Sequence, residues 1–171
     1  MNENKSDSDK EFRVVVRNQH LITEESLEQY RSHGVFPKLY ALNCNFEKMQ
    51  LSATVFGSCK FQNCTFNEFW TRKSIFSNCR FEDCKINNSE MTRSEFQSTH
   101  FKNCEFLNVD LSVSDIDCCT FQNTNFSKSN LRFLGVGQCH FENCTITDSD
   151  IERLQIDNET SFKKVKFWST I

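Results

Sequence analysis

The sequence predicts an all-β chain wound as a parallel β-helix of quadrilateral cross-section, about six coils long, behind a small N-terminal cap containing one helix. Three regularities predict it. From Phe46 to Ile156 every fifth residue is apolar, with Thr71 the one exception and no insertion anywhere. Two residues before each of these stands a second column of smaller side chains, which takes in every cysteine except Cys118. Over the five lies a period of twenty: Phe61, Phe81, Phe101, Phe121 and Phe141 form an unbroken column, whereas Leu51, Thr71, Met91, Leu111, Leu131 and Ile151 contain no phenylalanine.

An α-helix needs apolar recurrence near 3.6 and a strand near 2, so a step of five with a partner two residues before it is neither. Short straight segments with a bend in each pentad do fit. The inner pair alternates across one segment as strand residues do, and the bend lets the next segment repeat it. Four pentads per turn stack residues twenty apart, which explains why column cysteines keep to two of the four stacks. The same winding absorbs a composition of 18 Phe and 10 Cys with only 4 Gly and 1 Pro in 171 residues, odd for an ordinary globule. At Phe69 and Thr71 the large and small positions are exchanged, which keeps the volume of that segment nearly constant, and Leu134 with Val136 does something similar. After Ile156 the register slips by one residue, to Phe162 and Phe167, marking the last coil or a terminal cap.

Solenoid ends expose strand edges and need covers. Residues 1–10 read as a disordered N-terminus and residues 11–43 as the N-terminal cap. In that cap "FRVVVR" suits a short strand, and "TEESLEQYRSHG" a helix with Thr23 as N-cap and Gly34 beyond its end. Residues 44–171 form the β-helix with its C-terminal cap. There "SFKKVKFWSTI" places Phe162, Val165, Phe167 and Trp168 at an end with no helix after them, a candidate dimer end.

No apolar run approaches the roughly 18 residues that cross a bilayer, and the polar N-terminus has no signal-peptide core, so a soluble cytoplasmic protein without membrane contact is expected. Its cysteines are then thiols rather than disulfides. A net charge of −3 does not advertise direct nucleic-acid binding.

Segments such as "CEFLN", "SEFQS" and "SDIDC" resemble the pattern of the pentapeptide-repeat family: a small residue, Asn or Asp, Leu or Phe, then two polar residues. The resemblance runs from Cys44 to Asn158, with Cys favoured over Ala at the small position and the Asp/Asn position varied. It implies a right-handed coil, and a homodimer joined through the C-terminal end. It also points to the Qnr-type quinolone-resistance and toxin-immunity members, dimeric rods that occupy the DNA-binding saddle of DNA gyrase or topoisomerase IV. Some of those carry projecting loops that this unbroken register lacks.

A zinc site needs about four converging Cys or His. The column cysteines stand five or fifteen residues apart with no inward histidine, so they read as small buried side chains, and no metal, cofactor or catalytic residue is expected. His100 and His140 share an outer side with Lys60 and Arg80 and read as solvated. Cys118, outside the column, is the candidate reactive thiol. Without a nucleophile elbow, a phosphate-cradling loop or a cleft, the chain reads as a binding module and not an enzyme.

The candidate partner-binding surface is an acidic strip. Glu90, Glu95, Asp110, Asp115, Asp117, Asp150 and Asp157 map to two neighbouring sides of the rod. The side with Glu95, Asp115, Asp117 and Asp157 has no basic residue facing outward, while Arg72, Lys73, Arg93, Arg132 and Arg153 share the other. Two functions follow. Carboxylates on a narrow rod can mimic DNA and so modulate or protect gyrase or topoisomerase IV, giving quinolone or toxin resistance. Alternatively the rod is a general protein-interaction scaffold or a secreted effector with no topoisomerase role.

Overall fold

The computed structural model describes residues 10–19, 22–29 and 31–170. The disorder expected of residues 1–10 therefore falls, Lys10 apart, outside the described residues. Short parallel strands stack coil upon coil into three sheets of eight, seven and seven strands. The first, the phenylalanine wall, comprises β1 (Val14–Arg17), β3 (Leu39–Leu42), and then Lys60–Gln62, Arg80–Glu82, His100–Lys102, Thr120–Gln122, His140–Glu142 and Ser161–Lys163. A second wall starts at β4 (Asn45–Gln50) and ends at Lys166–Trp168; a third starts at β2 (Val35–Pro37) and ends at Gln155–Ile156. Beyond Trp70 the fourth side has turns instead of strands, joined by single bridges from Trp70 through Glu90, Asp110 and Asn130 to Asp150.

Cα partners lie twenty residues apart, as in Phe56↔Phe76 and Phe61↔Phe81, so the four-sided winding is as the periodicity requires. The rings in the phenylalanine column stack with centroids 4.6–5.1 Å apart from Phe61 to Phe162. After Ile156 the partners become Phe141↔Phe162 and Ile146↔Phe167, which is the one-residue slip. Asp157 accommodates the extra residue: its Oδ1 accepts from the Thr160 amide at 2.8 Å and hydroxyl at 2.7 Å, and its Oδ2 from the Gln138 amide at 2.9 Å.

The solenoid makes about seven turns, one more than the count from Phe46 onward suggests. Within residues 11–43, β2 already pairs with Val55–Gly57 and β3 with Lys60–Gln62. Their inward residues, Phe36 and Ala41, continue the five-residue step backwards from Phe46. β1 lies parallel against β3 at the N-terminal edge, and α1 (Glu24–Glu28) is capped by Thr23, whose hydroxyl accepts from the Ser26 amide at 3.4 Å. The helix stops well short of Gly34 because Ser32 and Val35 exchange backbone hydrogen bonds at 2.9 Å and turn the chain into β2. Gly34 sits in that turn with φ +78°.

The bends have one conformation. At every fifth residue from His33 to Arg153 the backbone is left-handed, with φ between +49° and +59°, and none of these residues is glycine. Asparagine tolerates this region best after glycine, and Asn63, Asn103, Asn108 and Asn123 also ladder to the coil before through amide bonds of 2.8–3.0 Å. Val113 is the costly exception, a β-branched residue at φ +59° with its side chain half in water. Left-handed backbone costs such a residue about 1–2 kcal/mol. Val113→Asn is therefore expected to stabilise the fold by about 1 kcal/mol; an unchanged or lower urea midpoint would contradict it.

The small column is more than filler. The Ser94 hydroxyl donates to the Thr71 carbonyl at 2.6 Å and accepts from the Ser74 amide at 3.2 Å. Ser74, Ser114 and Thr99 repeat this on their own coils, and the thiols of Cys64, Cys84, Cys104 and Cys144 donate to carbonyls of the previous coil at 3.4 Å. Buried polar groups must be paired, and the bends turn one carbonyl and one amide inward on each side. Column residues with S–H or O–H satisfy them where alanine cannot. Where Phe69 takes the small position, the hydroxyl of Thr71 is left buried without a partner.

Candidate functional site: an acidic wall and an apolar end

The structure divides the seven carboxylates of the acidic strip by what holds them. On the fourth side, where no strand ladder supports the chain, side chains brace the turns. Asp110 Oδ1 accepts from the Ser112 amide at 2.8 Å and Asp150 Oδ1 from the Glu152 amide at 3.0 Å. Glu90 accepts from the Thr92 hydroxyl at 3.2 Å and pairs with Arg72 at 3.1 Å, while Arg132 pairs with Asp150 and Glu152. Asp157 braces the terminal slip, and the Thr160 hydroxyl bonded to it holds its carboxyl below the usual range.

Glu95, Asp115 and Asp117 are different. They lie on the third wall, Glu95 and Asp115 as direct partners on neighbouring strands and Asp117 two residues along. All three are exposed, and among the described residues none makes an ion pair. Like charges directly opposite one another destabilise a sheet, so this stack costs stability. The next strand on this wall is Gly135–Gly137, two of the chain's four glycines. A Cβ on Gly135 would run into Asp115 Oδ1, and one on Gly137 would lie 3.0 Å from Asp117 Oδ1 and 3.5 Å from Asp157 Oδ2. The result is an open groove of about 490 Å³, floored by Val136 and Ile156 and rimmed by carboxylates. Sequence reasoning passed over the glycine pair, although two glycines so close in a chain with four were the available signal.

At the C-terminal end the inner columns come to the surface. Phe162 and Phe167 are 42% and 44% exposed and Trp168 61%, while Val165 packs half-buried on the core. With Leu154 and Ile156, Phe162 and Phe167 frame a shallow apolar opening onto Phe141 and Val136.

Cys118 is the one exposed thiol among the ten cysteines. Loss of hydration and a hydrogen bond to Asp117 push its pKa up, so it is less nucleophilic at neutral pH than a free thiol. Native protein is expected to take up one equivalent of a thiol reagent, at a rate that rises with pH, and denatured protein ten. More than one equivalent without denaturant would show that the column is not closed. The Cys84 thiol is pushed up by its contacts with Cys104 and Cys64 and by burial, and Cys144 by burial. No group of three or more His, Cys, Asp or Glu that could hold a metal ion occurs among the described residues, and no described helix is long and apolar enough to cross a membrane.

The family described as "Pentapeptide repeat region" matches residues 56–131, the centre of a register that runs unbroken through the coils on either side. Residues 56–131 are a pentapeptide repeat region. Among solved structures, a trypsin-treated variant of QnrB1, a plasmid-mediated fluoroquinolone resistance protein, is 12% identical, with 85% of this chain and 91% of that one covered and a TM-score of 0.48. Full-length QnrB1 is 16% identical over 85% of this chain and 92% of that one, with a TM-score of 0.41. Rfr23, a pentapeptide repeat protein from the cyanobacterium Cyanothece 51142, is 13% identical over 54% and 63%, with a TM-score of 0.29. No curated protein matches the sequence. Similarity this distant transfers no property of those proteins to this chain.

Proposed function

We propose that the chain is a non-enzymatic, cytoplasmic protein-binding module whose acidic wall docks on a basic surface of its partner. The reading rests on the wall itself: Glu95, Asp115 and Asp117 stack without a cation on any strand of that wall, at a cost in stability, and the glycine floor leaves them clear. Rows of like charge on a narrow rod steer an oppositely charged partner and raise its association rate. DNA gyrase or topoisomerase IV is the most specific partner of this kind, because the surface that receives DNA phosphates would receive the carboxylates in their place.

Purified protein is then expected to shift gyrase supercoiling or its sensitivity to quinolones, and the triple change Glu95→Lys, Asp115→Lys, Asp117→Lys to abolish the effect while the rod stays folded. An effect that survives the triple change removes the wall from the mechanism. No effect of the unaltered protein, with a different partner recovered by pull-down, selects the general scaffold instead. We further propose that Phe162, Val165, Phe167 and Trp168 join two copies end to end, since an open solenoid end is self-complementary in its apolar stacks. Light scattering should report a dimer that Phe167→Asp converts to a monomer; a monomeric unaltered protein rules this end out as the interface.

A further inference from the structure

Charges that meet across the strands of the three sheets follow a rule that fails in two places. Elsewhere on these sheets, charged strand partners are opposite in sign: Lys85 faces Glu105 with 3.4 Å between charges, and Glu142 faces Lys163 with 2.6 Å. One failure is Glu95 opposite Asp115. The other is on the phenylalanine wall, where Lys60 stands directly opposite Arg80, and Arg80 in turn opposite His100.

Lys60 and Arg80 open onto a cavity of about 250 Å³ that Lys38 enters from the neighbouring corner. Phe12, packed on the Tyr40 ring at 5.1 Å between centroids, closes one wall, and Glu11 is the single carboxylate of the lining. Lys60 is partly balanced by Glu82 at 3.2 Å and lies 5.5 Å from the Tyr40 ring centre. Lys38 and Arg80 have no ion pair among the described residues, and Ser58 and Asn78, both at left-handed bends, bring a hydroxyl and an amide to the same space. Three cations and two neutral hydrogen-bonding groups thus converge on one space, and among the described residues only Lys60 of the three cations is ion-paired. An anion between them would turn the repulsion of Lys60 and Arg80 into bridging, with the Arg80 fork suited to two oxygens at once.

We propose that this cavity binds a small tetrahedral oxyanion, inorganic phosphate or a short phosphate monoester. Its volume lies below the roughly 300–1,000 Å³ of pockets for larger organic ligands, which favours a phosphate bearing at most a short organic group. The site is on a different wall from the acidic stack and stands or falls independently of the proposed partner.

Thermal unfolding of the full chain in phosphate and in chloride at equal ionic strength tests it. Phosphate should raise the Tm saturably where chloride does not. Arg80→Glu and Lys38→Glu should each weaken the half-saturating phosphate concentration by about tenfold or more, while Lys102→Glu, on the same wall outside the cavity, leaves it unchanged. Arg80→Glu should also unfold at higher temperature than the unaltered protein in chloride, because it then faces Lys60 with opposite charge. Glycerol phosphate acting below inorganic phosphate in concentration assigns the monoester, and the reverse order assigns free phosphate. A phosphate effect no larger than that of chloride, or one that survives both Arg80→Glu and Lys38→Glu, overturns the proposal.

Discussion

Phe101→Ala is expected to destabilise the rod by about 3–5 kcal/mol, the cost of removing a large ring from a close-packed interior. The side chain is 3% exposed and its ring lies 4.9 Å from both Phe81 and Phe121, centroid to centroid, and 5.4 Å from Phe106. The cavity left cannot collapse easily. Each neighbour is fixed by strands above and below, so closing the gap on one wall would pull three others out of register. Solenoid coils contact only their neighbours, so this loss should also weaken cooperativity between the halves on either side of it. Urea unfolding that loses less than about 1 kcal/mol would mean that the column is not packed in this way.

Ser94→Ala should cost about 2–4 kcal/mol although it removes a single oxygen. That hydroxyl serves the Thr71 carbonyl and the Ser74 amide, and both would be left buried without a partner. A thiol can occupy the same pair of contacts, as Cys119 does between the Phe96 carbonyl and the Thr99 amide at 3.3 Å each. Ser94→Cys should therefore cost markedly less than Ser94→Ala. Equal losses for both would show that column volume alone matters, and that the ladder of side-chain hydrogen bonds contributes nothing.

Much of this was legible from the chain because covalent spacing sets it. A step of five from Phe46 fixes which side chains enter the tube, and a step of twenty fixes which ones touch, as Phe81 and Phe101 do. The N-terminal coil is hidden in the sequence because Ala41 interrupts the phenylalanine column and Phe36 stands beside turn residues. The polar chemistry of the column was hidden for another reason: Cys, Ser and Thr are similar in size, and only the direction of the inward carbonyls reveals that they are chosen as donors. Roles within the acidic strip were not readable at all. Asp110, Asp115 and Asp150 occupy similar pentad positions, yet the first and last brace turns on a side without strands whereas Asp115 leans over Gly135. That distinction depends on which wall holds a ladder.

Winding itself is the central claim, and spin labels at Gln62 and Glu142 on a Cys118→Ser background test it most directly. These residues occupy equivalent outward positions on the phenylalanine wall, linked through Glu82, Lys102 and Gln122 by four successive strand pairings. The buried cysteines should stay unlabelled. At about 4.8 Å per coil, the two Cα atoms should lie about 19 Å apart despite the length of chain between them, giving one narrow distance distribution. A broad distribution, or a separation beyond about twice that value, would contradict a tube with four pentads to each turn.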